Sequence, residues 1–323
     1  MQAIVVRGID DYVLTELPEP EPGPGEVLLR VAVTGLCRTD LKLIRAGHRD
    51  LILPRVPGEE VVGTVVRSGV GVGGWAAGET VYVYPGRCCG RCASCRSGAE
   101  NLCADMAIMG FHRDGGFAEY VCAPAASLLR VPDGLLPEQA VFAEPLSCCL
   151  NALELVRLQP GERIGIWGGG PAGTLLARAA RAQGALPTVI EPAAGRRRYT
   201  DALAAAPADA RYDAAVPAVG DPAAYHDALR HLAPRGRLVA FSGLAAAVPP
   251  LGDINTLHYH EQTVVGAYGC ALRHGTAALA LLAAEAVPVA DLISHRLPLR
   301  ELPQALDLVA TRRGMKIQLY PGA

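Results

Sequence analysis

Five of the ten cysteines in the chain lie within residues 88–103. Four of them, Cys89, Cys92, Cys95 and Cys103, follow the spacing C-x2-C-x2-C-x7-C. Two-residue gaps let successive thiolates turn toward one point, and four thiolates complete a tetrahedral zinc site with no open position. The spacing therefore predicts a small lobe folded around a structural zinc. Disulfides, free thiols and a zinc ribbon that binds nucleic acid are the alternative interpretations.

A glycine-rich turn is the second group that could do chemistry. The sequence GGGPAG at residues 168–173 fits G-x-G-x-x-G and directly follows the apolar run Arg163–Trp167. Glycine permits a tight turn and a close approach to a pyrophosphate, and the helix that follows offers free N–H groups to the phosphates. We therefore predict a dinucleotide site, against the alternative of a purely structural turn. The expected cofactor contacts are Gly168, Gly170, Pro171, Ala172 and Gly173.

An acidic residue, Glu191, ends the next apolar run, 21 positions beyond Gly170. A carboxylate at this place can accept hydrogen bonds from both ribose hydroxyls and repels a 2′-phosphate, which favours NAD over NADP. Three arginines at positions 196–198 lie close by and leave NADP open. Arg196 is the candidate cofactor contact, and a solvated helix face is the alternative interpretation of the run.

Weaker signals lie in the N-terminal part of the chain. The sequence GLCRTD contains Cys37, the pair Glu59-Glu60 follows 22 residues after that cysteine, and Glu144 opens the sequence EPL. A lone cysteine is usually a core residue, and a glutamate pair is usually part of a solvated loop. These signals gain weight only beside the two stronger motifs.

The elements that must position these groups fall into two patterns. The first ~145 residues hold short runs of Val, Leu and Ile between Gly and Pro clusters, which is typical of a mainly β domain. From about Cys148 onward, strands and helices alternate, as in a doubly wound parallel sheet. Residues 271–323 hold two helical segments and a final strand, Met315–Tyr320.

Composition excludes several classes of protein. A chain of 323 residues predicts about two domains. Its 30 basic and 32 acidic residues give a net charge of −2, which argues against a nucleic-acid partner. No apolar run approaches the ~18 residues of a membrane span, and the N-terminus shows no signal peptide. We therefore expect a cytoplasmic protein without membrane or nucleic-acid partners.

Taken together, the motifs resemble those of the zinc-dependent medium-chain dehydrogenases/reductases of the polyol, sorbitol, threonine and cyclitol type. In that family a catalytic zinc is held by a Cys, by the His of a Gly-His-Glu motif and often by the Glu of a Glu-Pro-Leu motif. The matching stretches span nearly the whole chain: GLCRTD (35–40), PGEEVVGTVV (57–66), CGRCASCRSGAENLC (89–103), DGGFAEYV (114–121), EPLSCCLNAL (144–153), GGGPAG (168–173), LHYHEQTVVGAYG (257–269) and MKIQLYP (315–321).

The resemblance implies a role for each matching residue. Cys37 and Glu144 correspond to zinc ligands, and Thr39 corresponds to the hydroxyl that relays the alcohol proton. Asp40 and Glu60 correspond to carboxylates that tune the metal from behind its ligands. Arg38 corresponds to a cofactor-phosphate contact.

One departure concerns the metal, because Glu59 stands where the family has its histidine. If Glu59 ligates, one thiolate and two carboxylates surround the cation, and the added negative charge weakens its action as a Lewis acid. Without a cation, these anions would crowd together at a high cost. We therefore expect zinc at Cys37, Glu59 and Glu144, with a metal-free site as the alternative.

A second departure concerns the length of the nucleotide-binding part. Only 21 residues separate Glu191 from Asp213, near the start of the next predicted strand. In the family a further strand and a longer helix usually lie between them. The sheet is therefore expected to be trimmed at the edge beside the adenosine site, with an effect on cofactor affinity.

These observations predict a two-domain oxidoreductase. A GroES-like catalytic domain would comprise residues 1–147 and 271–323, and a Rossmann domain would comprise residues 148–270. The expected reaction is reversible oxidation of a secondary alcohol on a polyol, sugar or cyclitol with NAD, in a homodimer or homotetramer. The rivals are a zinc-free reductase and a nucleotide-binding protein without turnover.

The acidic residues also suggest a substrate charge. Asp40, Glu59, Glu60 and Glu144 would face only one or two nearby cations, such as Arg38 or Lys42. Such a site should repel anions and favour neutral or cationic substrates. An amino-sugar or aminocyclitol alcohol is therefore the riskier expectation.

Overall fold

The computed structural model describes residues 1–244 and 254–322. In these ranges the strands are β1 (Gln2–Gly8), β2 (Asp11–Glu16), β3 (Glu26–Leu36), β4 (Glu60–Ser68), β5 (Thr80–Val83), β6 (Gly86–Arg87), β7 (Ala107–Ile108), β8 (Tyr120–Pro124), β9 (Leu128–Arg130), β10 (Arg163–Trp167), β11 (Leu186–Ile190), β12 (Tyr212–Pro217), β13 (Leu232–Ala240), β14 (Thr263–Gly266), β15 (Ile293–Pro298) and β16 (Lys316–Tyr320). The α-helices in the same ranges are α1 (Arg38–Ala46), α2 (Ala93–Arg96), α3 (Pro137–Ala140), α4 (Ala143–Leu155), α5 (Pro171–Ala182), α6 (Ala194–Arg197), α7 (Pro222–Arg230), α8 (Ile254–Tyr259), α9 (Leu272–Ala283) and α10 (Leu302–Ala310).

The chain divides into two units. The first unit holds Met1–Glu144, Ala271–Glu285 and Val289–Ala323. The second holds Pro145–Cys270 and Ala286–Pro288. The divisions predicted from the sequence lie after residues 147 and 270.

A mainly antiparallel sheet organises the first unit. Its strand order is β15-β16-β3-β4-β5-β9, and β8 also pairs with β3. Alternating Val and Leu residues of β3 and β4 bury one apolar cluster, which includes Val27, Leu29 and Val65. A second cluster joins Leu43 of α1, Leu306 of α10 and Ile317 of β16. The mainly β catalytic domain predicted from the sequence is therefore confirmed.

The register of this sheet brings three chain segments together at one point. Gly35, near the end of β3, lies opposite Glu60 of β4 and opposite Gln318 of β16. Cys37 follows the end of β3, and Glu59 immediately precedes β4. Residues that are far apart in the sequence therefore meet at the ends of neighbouring strands.

The second unit contains a five-stranded parallel sheet in the order β11-β10-β12-β13-β14. This is the order of a doubly wound dinucleotide-binding sheet, 3-2-1-4-5-6, without its third strand. At the place of that strand, a single bridge joins Ile190 to Leu203. The structure confirms the predicted parallel sheet and its trimmed edge.

The helices of the described residues are short relative to a lipid bilayer. No helix in those ranges combines the length and the apolar composition that a membrane span requires.

Candidate active site and cofactor site

Cys37 occupies the N-cap position of α1. Its backbone N–H donates to Asp40 Oδ2 at 2.9 Å. Asp40 is the third residue of the helix, and its carboxylate accepts from the N-cap amide, one of the free donors at the helix start. This hydrogen bond accounts for the burial of Asp40, which is only 3% exposed. Burial raises the pKa of Asp40 to about 6, against the lowering effect of the Cys37 N–H.

Glu59 faces Cys37 across the ends of β3 and β4. The Cys37 Sγ and Glu59 Oε1 atoms are 3.7 Å apart. Burial, and then the charges of Glu144 and Asp40, raise the pKa of Glu59 well above its ordinary value. Burial, and then the charges of Asp40 and Glu59, raise the pKa of Cys37 in the same way. The group therefore carries more acidic side chains than its surroundings can keep ionised.

Glu60 differs from its neighbour because a lysine neutralises it. Its carboxylate lies over Gly35, where a Cβ would collide with it, and forms an ion pair with Lys316 of β16. The two side chains are only 1% and 4% exposed. Burial alone would lower the pKa of Lys316, but the charges of Glu60, Cys37 and Glu144 outweigh that effect and raise it.

No motif in the sequence singled out Lys316, and Glu60 was therefore predicted among the acids opposed only by Arg38 or Lys42. The structure corrects that count, since the Glu60 charge is matched inside the sheet. A lysine within the mainly apolar run Met315–Tyr320 is the signal that could have revealed the pair, because lysine is almost never buried without a partner.

The other two residues that the resemblance singled out lie on the first turn of α1. Thr39 is half-buried, and Arg38 is exposed. Both belong to the same unit as Cys37 and Glu59.

The donor chemistry of Cys37, Glu59 and Glu144 suits a divalent cation, because thiolate and carboxylate are both zinc ligands. In a tetrahedral site with bonds of about 2.3 Å to sulfur and 2.0 Å to oxygen, two such ligand atoms lie about 3.5 Å apart. The 3.7 Å separation of Cys37 Sγ and Glu59 Oε1 fits this geometry. The ligand atoms of all three residues do not lie within 4.8 Å of one another, so a shared cation would require side-chain movement to gather them.

The four sulfur atoms of the cysteine lobe already lie close together. The ligand atoms of Cys89, Cys92, Cys95 and Cys103 lie within 4.8 Å of one another. The Cys92–Cys95 and Cys89–Cys95 sulfur separations are 3.5 and 4.0 Å. Both are far longer than a disulfide bond of about 2.05 Å and close to the ~3.8 Å expected around tetrahedral zinc. All four cysteines are free, and their donor set fits zinc.

Backbone donors favour the thiolate form of two cysteines of this lobe, whereas burial and the neighbouring sulfurs raise the pKa of Cys95. Hydrogen bonds from the backbone at Cys95 and Ala104 lower the pKa of Cys92 to about 6. Those from Arg91 and Cys92 lower the pKa of Cys89. Arg273 of α9 donates to the Gly98 carbonyl and thereby attaches the lobe to the rest of its unit.

Replacement of Cys92 by serine is expected to remove the lobe zinc and to make residues 88–103 sensitive to protease. The physical reason is that the lobe has little apolar content, so metal ligation supplies its folding energy. Elemental analysis and limited proteolysis measure both effects. Cys88→Ser, which changes the neighbouring cysteine outside the spacing, should leave both unchanged. Equal zinc content in Cys92→Ser and wild type would contradict the prediction.

The glycine-rich turn of the second unit has the geometry of a phosphate-binding loop. Helix α5 begins at Pro171, with Gly170 as its N-cap. A Cβ on Gly173 would collide with the Gly168 carbonyl, so the helix can approach the turn this closely only with glycine there. Ala172 is the second residue of the helix, in the turn whose N–H groups have no partner within the helix. The turn therefore fits the pyrophosphate of a dinucleotide.

Glu191 lies directly beside this turn. Its Oε2 accepts from the Gly169 N–H and its Oε1 accepts from the Ala193 N–H, each at 2.8 Å. These two amides fix the carboxylate at the end of β11. Each carboxylate oxygen can accept a further hydrogen bond, which leaves room for a ribose hydroxyl.

The three arginines that follow differ in placement. A Cβ on Gly170 would lie 3.3 Å from Arg196 Nη1, so this guanidinium borders the turn. Arg197 donates to the carbonyls of Glu191 and Pro192. Arg198 stacks on the Tyr199 ring at 4.9 Å. Of the three, Arg196 is the one that the fold brings to the predicted cofactor turn.

Comparisons with known proteins agree with this architecture. Residues 23–133 match the family model described as "Alcohol dehydrogenase GroES-like domain". D-altritol 5-dehydrogenase of Agrobacterium fabrum is 32% identical over 307 residues, covering 90% of each chain. A zinc-type alcohol dehydrogenase-like protein of Haemophilus influenzae is 37% identical over 204 residues, which are 63% of this chain and 60% of that one. The matches thus span about 60% of the length of some curated relatives and 90% of another.

A solved structure extends the likeness to the whole fold. A zinc-binding dehydrogenase of Sinorhizobium meliloti 1021, bound to NADP, superposes with a TM-score of 0.92 at 28% identity, covering 99% of both chains. Fold and site together define a two-domain dehydrogenase with a GroES-like and a Rossmann part. The chain belongs to the zinc-dependent medium-chain dehydrogenase family.

Proposed function

We propose that the chain is an NAD(P)-dependent oxidoreductase that reversibly oxidises a secondary alcohol on a polyol, sugar or cyclitol to the ketone. The observation that carries the proposal is the group of half-buried Cys37, half-buried Glu59 and buried Glu144, in which the Cys37 thiol and a Glu59 carboxylate oxygen lie at the separation of two ligands of one cation. The dinucleotide turn at residues 168–173 supports the cofactor half of the reaction.

Each residue of the group has its own task in the proposed reaction. Cys37, Glu59 and Glu144 would hold zinc, which when bound polarises the substrate oxygen, while the nicotinamide ring accepts the carbinol hydride. The Thr39 hydroxyl takes the alcohol proton and passes it outward. Asp40 fixes the start of α1 and with it the backbone of Cys37. Glu60 lies behind these residues in its buried ion pair with Lys316.

A zinc-free reductase is the second candidate. The raised pKa of Glu59 favours it, because burial favours the protonated carboxyl, which can act as a general acid. The separation of the three ligand atoms favours it as well. Metal content measured together with turnover distinguishes the two candidates. Cofactor binding without turnover on any alcohol would favour a nucleotide-binding protein instead.

The substrate class is tested by steady-state kinetics on neutral polyols, sugars and cyclitols, on their amines and on sugar phosphates. We expect turnover of neutral secondary alcohols, by analogy with the D-altritol 5-dehydrogenase that the chain resembles. With Glu60 paired to Lys316, a preference for amines rests on Asp40, Glu59 and Glu144. Better turnover of a sugar phosphate than of its neutral parent would contradict the expected order.

The enzyme is expected to prefer NAD over NADP. The Glu191 carboxylate, held by two backbone amides, would bind the ribose diol and repel a 2′-phosphate, an effect on the order of 1–3 kcal/mol. The ratio of kcat/KM for the two cofactors measures it, and Glu191→Gln should lower that ratio at least about fivefold. Arg198→Gln, which changes an arginine stacked on Tyr199, is the matched control. Equal efficiency with both cofactors in the wild type would show that attraction of the 2′-phosphate by Arg196 outweighs its repulsion by Glu191.

We also propose a homo-oligomer formed through β14. This strand lies at the edge of its sheet, and its Val264 is 39% exposed, with Tyr268 just beyond it 51% exposed. An exposed edge of this kind can pair with the same strand of a second copy. A monomer in light scattering at micromolar concentration would contradict the proposal.

The four free thiols of the lobe support a reducing compartment such as the cytoplasm.

A further inference from the structure

The donor set around Cys37 contains sulfur and oxygen atoms but no imidazole. In residues 1–244 and 254–322, no histidine belongs to a compact group of three or more metal-ligating side chains. The two histidines nearest in the sequence are occupied elsewhere. His48 Nδ1 accepts from the Asp50 N–H, and His112 Nδ1 accepts from the Ile108 N–H. In both residues Nδ1 is therefore engaged by a nearby backbone amide.

The charge at the site is equally distinctive. A divalent cation held by the anions of Cys37, Glu59 and Glu144 leaves a formal sum of +2 − 3 = −1. Glu60 adds nothing to this sum, because Lys316 neutralises it inside the sheet. A set with imidazole in place of Glu59 would sum to zero. Compared with that set, the site of this chain has one more anionic oxygen and one fewer neutral nitrogen.

This exchange alters which cation is held best. Carboxylate oxygen suits hard cations such as Mn²⁺, whereas imidazole nitrogen and thiolate suit zinc. Zinc binds more tightly than manganese to most sites. Replacing an imidazole nitrogen by a carboxylate oxygen is therefore expected to lower the ratio of the zinc affinity to the manganese affinity. The four-thiolate lobe in the same unit has no oxygen donor and keeps the full preference for zinc.

We infer that Glu59 shifts the preference of the Cys37–Glu59–Glu144 site away from zinc and toward harder divalent cations. The inference rests on the proposed function, because it requires that these residues hold a metal. It implies that one chain carries two metal sites of different selectivity. Zinc occupies the lobe, and a mixture set by availability occupies the second site.

Competition dialysis tests the inference. The metal-depleted chain with zinc restored to the lobe is dialysed against mixtures of Zn²⁺ and Mn²⁺. Elemental analysis gives the content of each metal, and electron paramagnetic resonance reports bound Mn²⁺. Changing a group that merely contacts a ligand alters metal affinity about 10- to 100-fold, so exchanging the ligand itself should have at least that effect. We expect the Zn/Mn affinity ratio of the second site to rise at least about tenfold in Glu59→His.

Two further variants keep the test decisive. Glu59→Asp retains an anionic oxygen and should keep the wild-type ratio, whereas Cys37→Ser replaces the sulfur and should lower the ratio further. Zinc in the lobe shows for each variant that the unit has folded. An unchanged ratio in Glu59→His would overturn the inference and leave the proposed function standing. If the second site of the wild type takes up neither metal, the inference fails together with the metal-dependent form of the proposed function.

Discussion

Replacement of Cys37 by alanine is expected to remove one bound metal per chain and to lower turnover at least about a thousandfold. The reason is that polarisation of the substrate oxygen by a metal contributes several kcal/mol to catalysis, and about 4 kcal/mol corresponds to a factor of about 10³. Glu144→Ala should have the same two effects if Glu144 completes the ligand set. Elemental analysis and steady-state kinetics measure them independently.

Cys122→Ala is the matched control for this experiment. Cys122 is a half-buried cysteine of β8 in the same unit, outside both groups of candidate ligands. It should change neither metal content nor turnover. A wild-type chain that holds one zinc and remains active after Cys37→Ala would establish the zinc-free reductase instead. The lobe zinc should persist in every variant, since its ligands are the four cysteines of the lobe.

The groups that sequence reasoning located are those whose geometry is encoded locally. Two-residue spacings place Cys89, Cys92 and Cys95 close together in the chain. The sequence alone therefore predicts that their sulfur atoms converge. The turn at Gly168 is equally local, since a strand, the glycines and a helix follow one another directly. Proline at the first helical position lets α5 begin at Pro171, within the glycine-rich turn itself.

Counting residues also predicted the trimmed sheet. Too few residues follow Glu191 for a strand and a full helix, and the structure has only the short helix α6 and a single bridge at Leu203 there. A deficit of chain length constrains topology without any knowledge of tertiary contacts. The effect of this trimmed edge on cofactor affinity stays a prediction.

Long-range ion pairs, and helices with a weak apolar pattern, could not be predicted from the sequence. Helix α1 buries only Asp40, Leu43 and Ile44, so its apolar periodicity is too short to stand out. Helix α4 begins at Ala143 and includes Pro145, a residue that usually marks a loop or a helix start. The Glu60–Lys316 pair joins positions 256 residues apart through the register of β3 with its two neighbours.

That pair carries the second large prediction. Lys316→Met should lower the free energy of unfolding of the first unit by about 3–5 kcal/mol, because it leaves the Glu60 carboxylate buried without its cation. The two tryptophans of the chain, Trp75 and Trp167, lie one in each unit, so a Trp167→Phe background makes fluorescence specific to the first unit. Urea unfolding at matched metal content then measures the change.

The double variant separates a lost ion pair from lost packing. Lys316→Met combined with Glu60→Met removes both charges and fills similar volume, and replacing a buried pair by apolar residues is often neutral or stabilising. It should therefore recover most of the stability that Lys316→Met alone loses. If the double variant is as unstable as the single one, or if the single variant costs less than about 1 kcal/mol, the pair is not a buried ion pair in solution. Glu60 would then count among the free acids beside Cys37, and the site would carry one more negative charge than the fold indicates.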